Sequence, residues 1–310
     1  MKKIILFFFL FLTISVFPHL VFAQDDSQKT GFSISPPLID MVINQADNEK
    51  SFVLNISNHS PSSEVFKLSV LDFGSLQESA GVAFFGFEKK ELENKYSLAS
   101  WIKLEKDAFV VDPDQTLPVK ITIINRQSLS PGGHYGAILV KLDDQNSDQT
   151  RLVGLTQNYA SLIFVKKTGG EVYGLDLAET NFKPNPIIMT KEINLRFENV
   201  GNVHLVPRGK VEIEDPRGKL VAKGIVNSDS AIIMPESFRN YFVKINKVDK
   251  IFWPGKYSLK VGFRHQGLEE FKYYQTGFFY FGDYLFWGLM VLLPILAIVL
   301  FVKTKRVKKK

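Results

Sequence analysis

The 310-residue chain contains no cysteine. Disulfides are excluded, so any exported domain must hold by burial alone. Histidine is nearly as scarce, with five residues. His59, His134, His204 and His265 lie beyond the N-terminal apolar segment, and none sits in an HExxH pattern or at a spacing that puts two ligands on one helix face. No metal site and no cofactor is expected, and His134, beside a Gly-rich turn, reads as an exposed turn residue. Phosphate loops and nucleophile elbows are missing too, with no GxGxxG, Walker-type or GxSxG motif. The chain is therefore expected to be non-catalytic. Between the two ends no stretch sustains an amphipathic 3.6-residue period over three turns, which limits helix to short pieces such as residues 88–95.

The ends differ from the middle. Lys2 and Lys3 precede an apolar run over residues 4–16, and Val21-Phe22-Ala23 places a small residue before a cleavage point. Residues 1–23 read as a signal peptide, residues 24–30 as a linker, and Gln24 as the first mature residue. At the far end residues 284–302 carry no charge, and Phe278, Phe279, Tyr280, Phe281, Tyr284, Phe286 and Trp287 crowd the outer edge as an interfacial belt. A single transmembrane helix is expected there, with Pro294 inside it. Lys303, Lys305, Arg306, Lys308, Lys309 and Lys310 follow as a tail, residues 303–310, that the positive-inside rule places in the cytoplasm. The expected topology is single-pass, type I, with the ectodomain extracytoplasmic.

The net charge of +6 belongs to these ends. Two lysines in the leader and six basic residues in the tail leave 38 − 8 = 30 basic against 32 acidic residues, near −2 for the ectodomain. Basicity here reports membrane topology, and nucleic acid is not implied.

Period-two alternation dominates the ectodomain: Phe52, Leu54, Ile56; Leu117, Val119, Ile121, Ile123; Ile193, Leu195, Phe197; and Tyr257, Leu259, Val261, Phe263. An all-β fold follows. A faint repeat sets the domain count, since Asn55-Ile56-Ser57-Asn58 and Asn199-Val200-Gly201-Asn202 each end a strand. Pro131-Gly132-Gly133-His134-Tyr135 and Pro254-Gly255-Lys256-Tyr257 each place a Pro-Gly turn before a Tyr that opens an apolar strand. In immunoglobulin-like sandwiches a Tyr at the start of strand F bonds upstream backbone through its hydroxyl, so Tyr135 and Tyr257 are candidates for that corner. Two tandem immunoglobulin-like sandwiches are expected, over residues 31–167 and 171–282, with 168–170 as hinge.

Several motifs dissolve on inspection. Asp144, Asn146 and Asp148 have calcium-loop spacing, but Gln149 and Leu155 stand where Gly and Glu are needed. Ser100-Trp101-Ile102-Lys103 with Lys167-Thr168-Gly169 matches the motifs of penicillin-binding enzymes, without the helical domain that would bring the Lys to the Ser hydroxyl. The sequons at Asn55 and Asn58 read as turn chemistry. Trp101 is either a core anchor or an exposed contact.

SISPPLID at residues 33–40, LNISNHS, SWIKLEKDAFVVDP and PGGHYGAIL together resemble the WxL-interacting family of bacterial surface proteins. The likeness is carried by the first domain. It implies a peptidoglycan-binding type of N-terminal domain, a second β domain, a membrane anchor and non-catalytic attachment, with cell-wall glycan or a WxL-type surface protein as partner and Trp101 and His134 as candidate contacts. A second expectation is a tethered chaperone or scaffold that engages a client through exposed strand edges.

Overall fold

The structure, a computed structural model, describes residues 31–75, 82–85, 95–126, 128–143, 158–283 and 285–307. The expected leader and linker, nearly all of the expected 88–95 helix, the calcium-like Asp144–Asn146–Asp148 spacing, Tyr284 and the last three tail residues lie outside them.

The chain folds as two β-sandwiches of immunoglobulin-like kind. In the first, β1 (Phe32–Ser35), β3 (Glu49–Asn58), β8 (Thr116–Ile124) and β6 (Ile102–Leu104) form one antiparallel sheet in the order β1-β3-β8-β6. Facing it lie β2 (Leu38–Ile43), β10 (Asn158–Lys167), β9 (Gly132–Leu142), β4 (Glu64–Ser75) and β5 (Val82–Phe85), with β7 (Ala108–Val111) also on β4. The chain changes sheets at the cis Ser35–Pro36 bond. Before it β1 pairs antiparallel with β3, and after it β2 runs parallel to β10, Leu38 opposite Leu162 and Ile43 opposite Lys167.

The second sandwich has a three-stranded sheet of β11 (Leu175–Asn181), β12 (Glu192–Asn199) and β15 (Ser237–Lys244). Its other sheet runs β16-β14-β13-β17-β18, from β16 (Asn246–Lys247), β14 (Leu220–Val226), β13 (Pro207–Glu214), β17 (Gly255–His265) and β18 (Lys272–Tyr280).

The alternating residues of the sequence are the cores. Leu54, Ile56, Val119, Ile121 and Ile123 meet Ile138, Val140, Ile163 and Val165 inside the first sandwich. Ile193, Leu195 and Phe197 meet Val211, Ile213, Leu259 and Val261 inside the second. A fully buried Ile, Leu or Phe contributes about 2 kcal/mol of transfer free energy. Lacking disulfides, each sandwich depends on this burial.

The repeat is present, in a different register from the one expected. The equivalents are Asn58, last residue of β3, and Asn199, last residue of β12, both fully buried. Each side-chain amide donates to two carbonyls, Asn58 to Ser62 and Val111, Asn199 to Val203 and Ile233. Each carbonyl oxygen accepts the backbone N–H two residues on, from Ser60 or Gly201. Asn55 instead sits mid-strand, opposite Pro118. Two asparagines three residues apart blurred the alignment, and burial picks the one that closes the strand.

After β18 comes a 23-residue helix, α1 (Leu285–Val307), with Pro294 inside it. Its side chains from residues 288 to 302 are all exposed. Among the described residues no helix is long and apolar enough to cross a membrane. The side chains of residues 284–287, where the expected span begins, are not among those described.

Candidate binding groove at the domain junction

Along β9 and β10 every second side chain points away from the first sandwich's core. Near the junction these residues are apolar, Tyr135 and Ala137 on β9, Leu162 and Phe164 on β10, with Phe73 beside them on β4, until Lys166 on β10 turns to Asp40. Met234 and Ile232 of the second sandwich cover them and make a third core that joins the domains. Phe164 lies edge-on to Phe73 at 5.2 Å and to Tyr135 at 5.5 Å between ring centroids. His204, from the loop between β12 and β13, completes the nest at 5.0 Å from Phe164 and 5.7 Å from Tyr135.

Asn202 fastens the linker to this nest. Its side chain donates to Gly170 O at 2.9 Å and accepts from Val172 N at 2.6 Å, while its backbone carbonyl accepts from Gly133 N at 2.8 Å. The approach is close enough to require glycine nearby. A Cβ on Gly201 would lie 2.2 Å from Val172 O, and one on Gly133 would lie 2.1 Å from the Tyr135 hydroxyl. The Thr168-Gly169-Gly170 segment, expected as a hinge, is thus held by hydrogen bonds on both sides. An ion pair between Lys95 and Glu236 adds a second tie across the domains.

His204 is 2% exposed and faces Asp40 of β2, Nε2 to Oδ1 at 3.3 Å, with Lys166 3.7 Å from the same carboxylate. Among the described residues neither ring nitrogen has a partner at hydrogen-bond geometry. Burial holds the imidazole below its ordinary value, and the Asp40 carboxylate only partly offsets this. For Asp40 burial pulls upward, but His204 and Lys166 together keep it below the ordinary carboxylate value. The two directions conflict if His204 is taken as charged. The neutral imidazole is the consistent assignment at neutral pH, because its ring is buried while the 44% exposed Asp40 is stabilised by Lys166 and water. A hollow of about 420 Å³ opens here, edged by Asp40, Lys166, Tyr173, His265 and Leu268. Among the described residues no three potential metal ligands cluster.

The groove's other feature is an edge. Among the described residues β2 pairs with β10 on one side and with no strand on the other. Ladder bonds run from Leu162 N to Pro37 O and from Thr168 N to Ile43 O, so the intervening backbone groups of Leu38, Asp40 and Val42 point outward. Leu38 and Val42 are over 40% exposed. Alongside lies an apolar hollow of about 350 Å³ between the domains, walled by Leu38, Leu162, Phe164, Ile232, Phe238 and Arg239. One outward group is taken, since Val42 O accepts from the Lys50 ammonium; the rest of the edge, beside an apolar trough, is a template for an added strand.

The residues singled out from sequence lie mostly elsewhere. His134 is 2% exposed, which corrects its reading as an exposed turn residue: β9 has already begun at Gly132, and the ring turns inward to Ser97 O at 3.1 Å and Ser130 O at 2.7 Å. Burial lowers its pKa. Trp101 is half-buried against the first core with Arg126 over its ring at 5.9 Å. Lys167 is buried, donating to Arg126 O and Leu129 O, and so is spent on structure. Pro131 and Gly132 stand at the junction, where a Cβ on Gly132 would lie 3.1 Å from Asn202. Pro254 and Gly255 open β17 at the opposite end of the second sandwich, Gly255 against Pro216.

The two corner tyrosines differ. Tyr257 donates its hydroxyl to Trp253 O, whereas the buried Tyr135 hydroxyl has no partner at hydrogen-bond geometry among the described residues, although it lies toward the His204 backbone. Tyr257→Phe is expected to cost about 1 kcal/mol, and Tyr135→Phe to leave stability unchanged or raised, since it removes an unpaired buried group. Thermal denaturation of the full chain in detergent distinguishes them; equal losses at both positions would mean that Tyr135 is bonded.

Asp40, Phe164, Asn202, His204 and Met234 were not singled out from sequence. One signal was available: Leu162-Ile163-Phe164-Val165 is continuously apolar where a half-exposed strand would alternate, which marks a strand covered on both faces.

No protein-family model matches the chain, and no curated protein does. Among solved structures, a chain from a chaperone–tip adhesin complex of CFA/I fimbriae is similar at 13% identity and a TM-score of 0.46, over 80% of this chain and 98% of that one. The class 5 fimbriae chaperone CfaA gives the same figures. The Escherichia coli chaperone DraB is similar at 14% identity and a TM-score of 0.37, over 79% of this chain and 98% of that one. Likenesses this remote transfer no residue's role.

Proposed function

We propose that this chain is a non-catalytic, membrane-anchored surface scaffold that holds an extended segment of a partner protein against the outer edge of β2. The observation that carries the reading is that edge, with Leu38 and Val42 exposed beside the apolar hollow at the junction. Main-chain bonds to the edge would give affinity, and a large apolar side chain seated against Leu162, Phe238 and Ile232 would give selectivity. On this reading residues 1–23 direct export, residues 284–302 hold the chain in the bilayer, and the basic tail stays inside. Residues 288–302 of α1 carry no charge and are exposed, a surface with no favourable place in water, which supports the anchor. The resemblance to WxL-interacting proteins suggests a WxL-type surface protein as partner. Attachment to cell-wall glycan has less support, since its two candidate contacts are a buried His134 and a half-buried Trp101.

The test places a photo-crosslinking side chain at Leu38 in the full-length protein in its native envelope. The expected product is an adduct with one surface protein, through a short extended segment, that disappears in Val42→Pro. That substitution deletes an outward N–H while leaving the ladder to β10 intact. An adduct that persists in Val42→Pro, or retention of the protein on purified peptidoglycan instead, would overturn the reading.

A further inference from the structure

The end of the second sandwich from which α1 leaves has no part in the groove; it carries exposed apolar side chains and lysines, two of which, Lys219 and Lys247, are paired with Asp249 and Asp283. Two loops grip the departing chain. Phe281 N donates to Pro186 O and Asp283 N to Ile251 O, each at 2.8 Å. Each loop then turns outward with exposed apolar side chains, Ile187 and Ile188 on one and Phe252 and Trp253 on the other. Ile188 is 62% exposed and Trp253 is 51% exposed, the latter with Arg217 over its ring at 4.8 Å. Between the first loop and Asp283 lies a hollow of about 670 Å³, with Ile188, Met189 and Ile245 in its wall; Glu192 also lines it and Lys247 is paired with Asp283, which leaves Lys191 and Lys244 as the cations at its rim.

Chain length sets where these loops can be. Asp283 is fixed to Ile251, and α1 begins at Leu285. Two residues span at most about 7 Å. The headgroup layer on each side of a bilayer is about 6 Å thick. If α1 enters the hydrocarbon at its first turn, the 187–188 and 252–253 tips stand at headgroup level, where Trp and Phe are favoured and lysines meet lipid phosphate.

We infer that this end of the second sandwich is a lipid-docking surface that seats in the headgroup layer of an anionic phospholipid bilayer. The inference rests on the proposed anchor and adds to it: the sandwich does not swing on a tether but sits on the membrane at a fixed height. That in turn sets the height and direction of the β2 edge.

The absence of cysteine makes the test direct. Single cysteines at Ile188, Phe252, Val110 and Val291 of the full chain carry an environment-sensitive fluorophore, and the protein is reconstituted in vesicles of phosphatidylcholine with or without phosphatidylglycerol. Val110 is an exposed control in the first sandwich, and Val291 reports the helix. Spin-labelled lipid bearing its nitroxide near the glycerol end is expected to quench Ile188→Cys and Phe252→Cys several-fold more than Val110→Cys. Phosphatidylglycerol should strengthen this, and Lys191→Gln with Lys244→Gln should remove that increment. Val291→Cys answers to a nitroxide near the acyl terminus. Quenching at Val291 without quenching at Ile188 and Phe252 overturns the docking surface and leaves the anchor. Quenching at Ile188 and Phe252 without Val291 upholds the surface and overturns the span. No quenching at any of the three overturns both.

Discussion

Asn199→Ala is expected to destabilise the second sandwich by about 3 kcal/mol, at roughly 1 kcal/mol for each of three hydrogen bonds. The side chain is fully buried, donates to Val203 O at 2.7 Å and Ile233 O at 3.2 Å, and accepts from Gly201 N at 3.0 Å. Alanine removes these partners together and admits no obvious replacement, so the cost includes stranded carbonyls as well as lost bonds. Asn58→Ala is expected to cost the first sandwich a similar amount, because Asn58 makes the same set of bonds and adds one from the Ser60 hydroxyl at 2.7 Å. Chemical denaturation of the full chain in mild detergent, followed by tryptophan emission, measures both. Trp101 lies in the first sandwich and Trp253 in the second. A loss below about 1 kcal/mol at either position would mean that water replaces the amide, so the two asparagines would not be the closing element of each fold.

Met234→Asp is expected to part the two sandwiches. Met234 is 7% exposed in a cluster with Phe73, Tyr135 and Phe164, and a carboxylate there has no cationic partner among the members of that cluster. Truncating a buried Met costs about 2–5 kcal/mol, and a buried unpaired charge adds to this. The second domain can escape the penalty by leaving the first, because its own core does not include Met234. Limited proteolysis within residues 168–174 should therefore accelerate, while the strands that form the two inner cores stay protected from hydrogen exchange. Met234→Leu conserves volume and should behave as the parent protein. Unchanged proteolysis in Met234→Asp would show that Asn202 and the linker bonds alone hold the domains together.

Acid should act on the same joint. His204 and His134 are both held below the ordinary imidazole value by burial, so the folded chain binds fewer protons there than the unfolded chain. Their contribution to stability is full above about pH 6.5 and is lost as pH falls through the depressed values. Asp40, also lowered, adds a further loss once pH drops below the ordinary carboxylate range. The Met234→Asp signature in the linker should therefore begin to appear in the parent protein below about pH 6.

The strands were legible because burial on one face of a sheet writes a period of two into the chain, as at Leu54 and Ile56 or Leu259 and Val261. The repeat was legible in kind and misplaced by three residues, since composition cannot tell mid-strand Asn55 from strand-closing Asn58. His134 was misjudged because a Pro-Gly-Gly run suggests an exposed turn, while the strand in fact starts inside that run. The groove was hidden for a different reason. Asp40, Phe164, His204 and Met234 are far apart in sequence, and nothing local marks an aspartate on an edge strand as the neighbour of a buried histidine.

By itself the sequence determined the absence of disulfides, the all-β character, the residues of the two inner cores and the segregation of positive charge to the ends. These follow from covalent composition and from periodicities that each element displays on its own. Only the tertiary structure decided that the outer face of one sandwich is a third core, that the linker is clamped by Asn202, and that, among the described residues, one of two matching tyrosines lacks a hydroxyl partner and β2 leaves an edge beside an apolar hollow. The physical reason is that a strand's pattern records which face is apolar, whereas what covers that face depends on contacts between residues that only the packing of the two domains brings together.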